Sequence, residues 1–383
     1  MTDLPEIFDP RHFAPVRQPL EQAATLPPFA YHDPVFYRRE IDRVFLKSWN
    51  FVGHEDRVPE PGFYAAFDFA GIPIVLVRGR DGAVRAFANS CRHRGAKLVE
   101  GESRCQRIVC PYHGWTYGLD GALVGARGMD DVQDFRLQDN GLVPLRLEQL
   151  GKLMWVSFDP DGPSLDAHFG DLPGKLAAYG LDTLALVRRV EYQVACNWKI
   201  YVENFMDYYH TPVVHRASLA RASVSSYHRD LPVVETGEGE YMLLYARHAG
   251  SAALLKDATG FPPLPTLSGR ATEGSMYVCV FPCTLLGCTK DCVWYVEIHP
   301  TGPATIRIAL GSCFHPETIS RPDFDEVVQA YYKRWNVAVD EDNQVNELQQ
   351  QGVTSPLARA GRVSPFEALG HTFENWLLDR LGL

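Results

Sequence analysis

The sequence predicts an α+β chain: an all-β region followed by one in which strands and helices mix. Three observations carry this. Between residues 51 and 159, β-rich runs such as FYAAFDFAG (63–71), IPIVLVRG (72–79) and VRAFAN (84–89) are separated by turn signals such as Arg80-Asp81-Gly82. KLMWVSFD (152–159) reads as the closing strand. From Val190 onward, strand-like runs (RRVEYQVA, YMLLYARHA, MYVCVF, VWYVEIHP, ATIRIALGSCF) mix with helical patterns at 197–210, 322–350 and 365–381.

The order of these patterns divides the chain. Residues 1–48 form an N-terminal helical arm, in which Phe36, Ile41, Val44 and Phe45 recur at near-helical spacing after Pro27 and Pro28. Residues 49–160 form the all-β domain and 161–383 the mixed one, entered through a linker and a helix at LPGKLAAYG. The stretch 216–273, with its Ser, Gly and Pro clusters, is expected to form loops over a pocket. There is no internal repeat and no low-complexity segment.

Composition excludes several classes. A chain of 383 residues, 46% of them hydrophobic, supports two or three domains with a sizeable core. The net charge of −10, without a basic run, argues against a nucleic-acid partner. No apolar run is long enough to span a bilayer. The N-terminus lacks the basic and apolar regions of a leader, so a cytoplasmic protein is expected. Nine cysteines at irregular spacing do not make a disulfide framework.

The most informative stretch begins CRHRG at Cys91 and ends CPYHGW at Trp115. Cys91 and His93 make a Cys-x-His pair; Cys110 and His113 make a Cys-x-x-His pair. Two thiolates and two imidazoles, one of each per loop, suit a 2Fe–2S cluster with one iron on the cysteines and the other on the histidines, a Rieske centre. Gly95, Pro111 and Gly114 permit tight turns, and Tyr112 and Trp115 are placed to shield the cluster. Zinc is the rival, but zinc fingers pair Cys with Cys and His with His, whereas each loop here mixes them.

A second constellation lies in NWKIYVENFMDYYHTPVVH, 197–215. Asp207 and His210, three apart, share a face if the segment is helical, and Pro212 should end that helix. The turn then returns His215 to His210. Two histidines and a carboxylate make a facial triad for Fe(II) with positions open for dioxygen. The carboxylate comes from Asp340, Glu341 or Asp342. Consecutive helical positions point three ways, and chemistry alone does not choose among them.

Together these residues resemble the Rieske non-haem iron oxygenases, specifically the α subunit of the oxygenase component. The likeness rests on Cys91-x-His93, Cys110-x2-His113, the segment 197–215, and Glu341-Asp342 followed by Glu347 and Gln350. It implies that Asp342 is the third iron ligand and that Asp207 bridges the cluster and the iron of neighbouring subunits. It also implies a helix-grip-like catalytic domain with an antiparallel sheet and a head-to-tail homotrimer, with a small β subunit in some relatives. Electrons would come from NAD(P)H through a separate reductase, with or without a ferredoxin. No dinucleotide fingerprint is present here.

The expected activity is O2-dependent hydroxylation or dihydroxylation of a small, aromatic substrate. The alternative is hydroxylation or N-demethylation of a quaternary amine of the betaine, choline or carnitine type. Asp207 is closer to the ring-hydroxylating pattern, since relatives acting on quaternary amines carry Glu there. The tail GRVSPFEALGHTFENWL, 361–377, resembles the choline and betaine branch. Two readings of another class, a Rieske electron carrier and a zinc module, compete less well because His210 and His215 supply a second metal site.

Among the remaining features, Cys279, Cys283, Cys288 and Cys292 lack tight Cys-x2-Cys knuckles and read as buried thiols on two strand-like runs around a turn. Cys105 is read as structural. Arg92, Arg94 and Lys97 give the cluster tip a positive rim suited to an acidic electron donor. Phe205, Tyr208 and Tyr209 are read as core rather than substrate contacts.

Overall fold

The computed structural model describes residues 6–219 and 233–383; residues 220–232 of the loop region expected at 216–273 lie outside them. The seventeen strands among the described residues are numbered in chain order. The first sheet is built from β1 (Trp49–His54), β2 (Phe63–Phe69), β3 (Ile72–Arg78), β4 (Val84–Ala88), β5 (Gly101–Arg104), β9 (Pro144–Leu150) and β10 (Leu153–Ser157), in the order β1-β10-β9-β4-β3-β2-β5. A small three-stranded sheet of β6 (Ile108–Val109), β7 (Thr116–Tyr117) and β8 (Leu123–Gly125) stands beside it. The Cys91 loop follows β4 and the Cys110 loop joins β6 to β7. Both rest on a core of Val75, Val77, Phe87, Leu98 and Trp115.

The second sheet is seven-stranded and antiparallel, in the order β11-β17-β16-β15-β14-β13-β12. Its strands are β11 (Ala185–Val194), β12 (Val233–Thr236), β13 (Tyr241–Arg247), β14 (Gly274–Val280), β15 (Thr284–Cys288), β16 (Val293–Gly302) and β17 (Thr305–Phe314). The central strands are nearly continuous apolar runs because both faces are covered. Successive residues face opposite ways. Met242 and Leu244 therefore join a core with the helices, while Tyr241, Leu243 and Tyr245 join one with Trp49, Phe51 and Trp155 of the first sheet. The segment 276–300, expected as two strands, holds three: β15, read as part of the turn, is a short buried strand.

The same alternation settles the four clustered cysteines. Cys279, Cys283 and Cys292 lie in the helix-side core and Cys288 in the other, so they do not converge on one ion. All four are buried free thiols whose pKa is pushed up by burial.

Charged groups cross between the two sheets. Arg57, after β1, reaches Glu297 of β16 at 3.4 Å, and Arg189 of β11 binds the same carboxylate at 2.9 Å. Glu297 is fully buried. Burial alone would raise its pKa, but the two guanidiniums hold it well below the usual carboxylate range.

On the helical side lie the ligand helix Trp198–Met206, the long helix Phe324–Val353 and the terminal helix Ala368–Leu381. The arm packs here through its helix Pro34–Arg43. That helix is opened by Asp33, whose carboxylate accepts from the N–H groups of Val35 and Phe36. Arg17 binds the carbonyl of Leu383 and Arg39 that of Leu381, capping the terminal helix with positive charge.

Glu40 of the arm and Lys199 of the ligand helix form a fully buried pair at 2.7 Å, and the Trp198 indole N–H donates to the same carboxylate at 3.0 Å. Removing one member leaves the other charge unpaired in a dry site, which costs about 3–5 kcal/mol. Lys199→Met is expected to lose stability of that size in urea unfolding, whereas Glu40→Leu/Lys199→Met recovers most of it. Equal losses in the single and double variants would contradict this account of the pair.

Candidate metal centres and active-site cavity

The two Cys–His loops fold alike. Gly95 N–H donates to the Cys91 carbonyl at 2.9 Å and Gly114 N–H to the Cys110 carbonyl at 3.0 Å. Both glycines have positive φ, 72° and 74°, a backbone state that disfavours any side chain. Cys91 and Cys110 are buried at the base of the tip. His93 and His113 are exposed at its end, their rings 4.7 Å apart. Thiolates thus lie inward and imidazoles outward.

Trp115 is buried and stacks flat on His93, with centroids 4.9 Å apart. Tyr112, expected as a second shield, lies against His113 but is 59% exposed. Tyr117, not singled out in the sequence, accepts the Arg92 N–H at 3.0 Å, which leaves its hydroxyl proton to donate to Cys91 Sγ at 3.3 Å. Burial raises the Cys91 pKa, but hydrogen bonds from Tyr117, the His93 N–H and Cys110 outweigh it and hold the thiol below its ordinary value. The thiolate needed for ligation is favoured. His113 is held below its ordinary pKa by desolvation and by the nearby charges of His93 and Arg94, keeping the imidazole neutral.

The second constellation begins at Asn197. Its side chain accepts the Lys199 N–H at 2.9 Å and caps the ligand helix, while its own N–H donates to Gln350 of the long helix at 2.7 Å. Glu347 likewise receives the Ala195 N–H at 3.1 Å. The helix ends at Met206, not at Thr211. Asp207 is already extended, with φ −98° and ψ 125°. Asp207 and His210 therefore share a turn rather than a helix face. The carboxylate accepts the N–H of Tyr209 with one oxygen and meets His210 Nδ1 at 3.2 Å with the other. Pro212 starts the short helix Thr211–Val214 instead of ending the earlier one, as a proline in a first helical turn can. His210 and His215 flank that helix, with ring centroids 5.3 Å apart.

Asp342 of the long helix completes the group. Its Oδ1 lies 3.1 Å from His215 Nε2 and 3.6 Å from His210 Nε2. Each of the three residues offers one donor atom, all within 4.8 Å of one another. Glu341 does not point here; it meets His215 Nδ1 at 2.7 Å and receives the Ser218 hydroxyl at 2.6 Å. Asp340 is exposed to solvent. Of three consecutive carboxylates, one faces the centre, one orients a histidine and one faces water. Burial disfavours a charged His215, but Asp342 and Glu341 together raise its pKa above the ordinary value.

A cavity of about 560 Å³ opens beside these residues. Phe205, Tyr277 and Trp294 wall it with rings set roughly at right angles: Phe205–Trp294 at 5.6 Å, Phe205–Tyr277 at 6.3 Å and Tyr277–Trp294 at 6.4 Å. Sheet register makes this wall. Tyr277 pairs with Gly287, and Gly287 with Trp294. A Cβ on Gly287 would run into the indole, so the glycine lets Trp294 lie across its strand. Phe205 and Tyr208 pack against the helix-side core, as read from the sequence, and also line the cavity; Tyr209, read as core, is exposed and stacks on Phe366. Of the expected loop region 216–273, Leu219, Leu244, Ala246 and residues 247–252 and 254–258 line it.

Comparison with known families matches residues 48–136 to the Rieske [2Fe-2S] domain and residues 181–383 to the ring hydroxylating alpha subunit (catalytic domain). The chain belongs to this family. It is a Rieske oxygenase α subunit. It is similar to the carnitine monooxygenase oxygenase subunit of Escherichia coli K12, 32% identical over 272 residues, covering 70% of this chain and 68% of the relative. It is also similar to the chloroplastic choline monooxygenase of Spinacia oleracea, 28% identical over 370 residues, covering 95% and 80%. The quaternary ammonium Rieske monooxygenase CntA, solved with γ-butyrobetaine, shares the fold with a TM-score of 0.76, at 24% identity and 99% coverage of both chains.

A Rieske oxygenase α subunit carries a 2Fe–2S cluster and one mononuclear iron, and the donor sets fit both. Inward thiolates and outward imidazoles suit the cluster. Asp342 Oδ1 is a buried acceptor without a hydrogen bond, beside two imidazoles whose other nitrogens are already engaged. A cation is what such a group lacks. No helix among the described residues is long and apolar enough to cross a membrane.

Carboxylates that orient ligand histidines typically contribute about 10- to 100-fold in metal affinity. Glu341→Gln is therefore expected to weaken iron retention by about that factor in a chelator competition, with the Rieske absorption unchanged. Asp340→Ala should behave as wild type. Iron loss in Asp340→Ala, with none in Glu341→Gln, would show that the helix is wrongly phased.

Proposed function

We propose that the protein is the oxygenase component of a multicomponent system that oxidises a quaternary ammonium compound at an N-methyl group or an adjacent carbon. The observation that carries this is the enclosure formed by Phe205, Tyr277 and Trp294 beside the triad. The three rings, inclined to one another by 68–74°, turn electron-rich faces toward one space, which favours a bulky, weakly hydrated cation. A flat arene would prefer a slot. The relatives named for choline and carnitine support the same substrate class over the aromatic ring expected first from Asp207.

In this reading, Cys91, His93, Cys110 and His113 hold the cluster, and His210, His215 and Asp342 hold the iron. The iron, when bound, supplies dioxygen activation: one oxygen atom enters the substrate and the other leaves as water, using two electrons and two protons. The protein's residues do the rest. Asp207 and Glu341 fix the two imidazoles through Nδ1, so that both Nε2 atoms face Asp342. The aromatic wall excludes water and holds the cationic head. Hydroxylation at N-methyl gives a hemiaminal, which breaks to formaldehyde and a tertiary amine.

Electrons come from outside the chain, through a reductase with or without a ferredoxin. The cluster tip contributes no residue to the cavity lining. His93 and His113 are exposed, and so are Tyr112 beside them and Tyr209, Val213 and Phe366 around Asp207. The exposed imidazole tip and the apolar surface around Asp207 suit contact between neighbouring copies in a head-to-tail trimer, with Asp207 at the junction.

The test is turnover with a surrogate reductase against choline, glycine betaine, carnitine, γ-butyrobetaine and aromatic acids, following formaldehyde and products as well as oxygen. Coupled turnover of a quaternary amine is expected. Tyr277→Leu should raise its KM roughly 5- to 30-fold, the value of a desolvated cation–π contact. Coupled turnover confined to aromatic acids would replace this reading with the ring-hydroxylating one.

A further inference from the structure

The cavity holds a second recognition element. Arg334, on the long helix, is only 7% exposed and lines the cavity. Its guanidinium lies over the Trp294 ring, 5.5 Å from the centroid. Its Nε is buried without a hydrogen-bond partner, and no described carboxylate lies within ion-pair distance of it. A buried guanidinium normally has a carboxylate, because desolvating five donors is costly. The other charges near the cavity have theirs or face water. Asp291 is bonded to Ser251, Thr289 and Tyr331. Arg247 pairs with Glu273 at 3.2 Å, and Lys256 is exposed at the mouth.

The placement along the helix is regular. Arg334, Ala338 and Asp342 follow one another at intervals of four, so they form one ridge, and all three line the cavity. The rise of an α-helix sets Arg334 about 12 Å from Asp342 along the axis. Ala338 between them leaves the space open. One ridge therefore offers an iron ligand at one end and an unpaired cation at the other, with the aromatic wall beside it.

We propose that Arg334 binds the carboxylate of the substrate. The inference rests on the quaternary ammonium reading and narrows it: the substrate is a zwitterion, a betaine with a carboxylate at the far end, and not a simple cation such as choline. The guanidinium selects in both directions. A carboxylate neutralises it and gains charge-assisted hydrogen bonds. A cationic ligand without a carboxylate meets a bare like charge at the Trp294 ring, and that repulsion rejects it.

The experiment compares γ-butyrobetaine with its methyl ester, which keeps the ammonium and loses the anion. Binding is measured by calorimetry on the anaerobic, iron-loaded trimer or other native assembly. Wild type should prefer the zwitterion by roughly 10- to 100-fold. Arg334→Met should abolish that preference and bind the ester at least as well as wild type does. Arg334→Lys, which keeps the charge but not the fork, should retain part of it and serves if the Met variant does not fold. Lys256→Ala should leave the preference intact.

An equal preference in wild type and Arg334→Met would overturn the assignment, as would loss of preference in Lys256→Ala alone. Benzoate separates this inference from the one beneath it. Arg334-dependent binding of benzoate, with neither γ-butyrobetaine nor its ester bound, keeps the anion site and removes the quaternary ammonium reading. Binding of none of the three probes overturns both.

Discussion

The buried oxygen of Asp342 is the constraint around which the mixed domain is arranged. It faces two imidazoles, and each imidazole is held from behind by another carboxylate, Asp207 or Glu341. Three carboxylates and two imidazoles crowd one place. Without a cation the arrangement is costly; with one, the charges balance to within a unit. The surrounding elements hold this group against its own repulsion. Asn197 anchors the ligand helix to the long helix through Gln350, and the buried Glu40–Lys199 pair anchors it to the arm.

The central sheet connects this group to the first domain. Its residues alternate between a face that carries the helices and the cavity and a face that docks on β1 and β10. Glu297 joins the two sheets through Arg57 and Arg189. The orientation of the cluster tip, and hence the direction in which His93 and His113 are presented, follows from that docking. The same strands set the cavity wall, since Tyr277, Gly287 and Trp294 stand in one cross-strand row.

How much of this was legible in the sequence differs by site. The Cys–His loops could be read because their chemistry is local: ligand type, spacing and turn glycines all lie within one stretch. His210 and His215 could be read for the same reason, although their route could not. The sequence pattern ran the ligand helix to His210, whereas Asp207 captures the backbone N–H of Tyr209 and breaks it. Residue chemistry did not choose among Asp340, Glu341 and Asp342; the family resemblance pointed to Asp342, and the phase of the long helix, fixed by tertiary packing, brings that carboxylate to the two histidines. The aromatic wall was illegible because Phe205, Tyr277 and Trp294 come from three elements joined by sheet register. Arg334 had a visible signal: unlike its neighbour Lys333, it stands four and eight residues before Ala338 and Asp342, on the same stripe as the apolar Tyr331, Trp335 and Val339.

The proposed function depends on a quaternary ammonium head sitting beside an iron held by His210, His215 and Asp342. The most direct measurement uses the nitrosyl adduct of the ferrous site as a paramagnetic probe, with the cluster oxidised. γ-Butyrobetaine deuterated in its N-methyl groups is added, and electron spin-echo modulation is recorded. Deuterium modulation is expected to appear with this ligand and to vanish in Asp342→Ala, where the iron is lost. Bound ligand with no deuterium modulation at a fully occupied iron would contradict it.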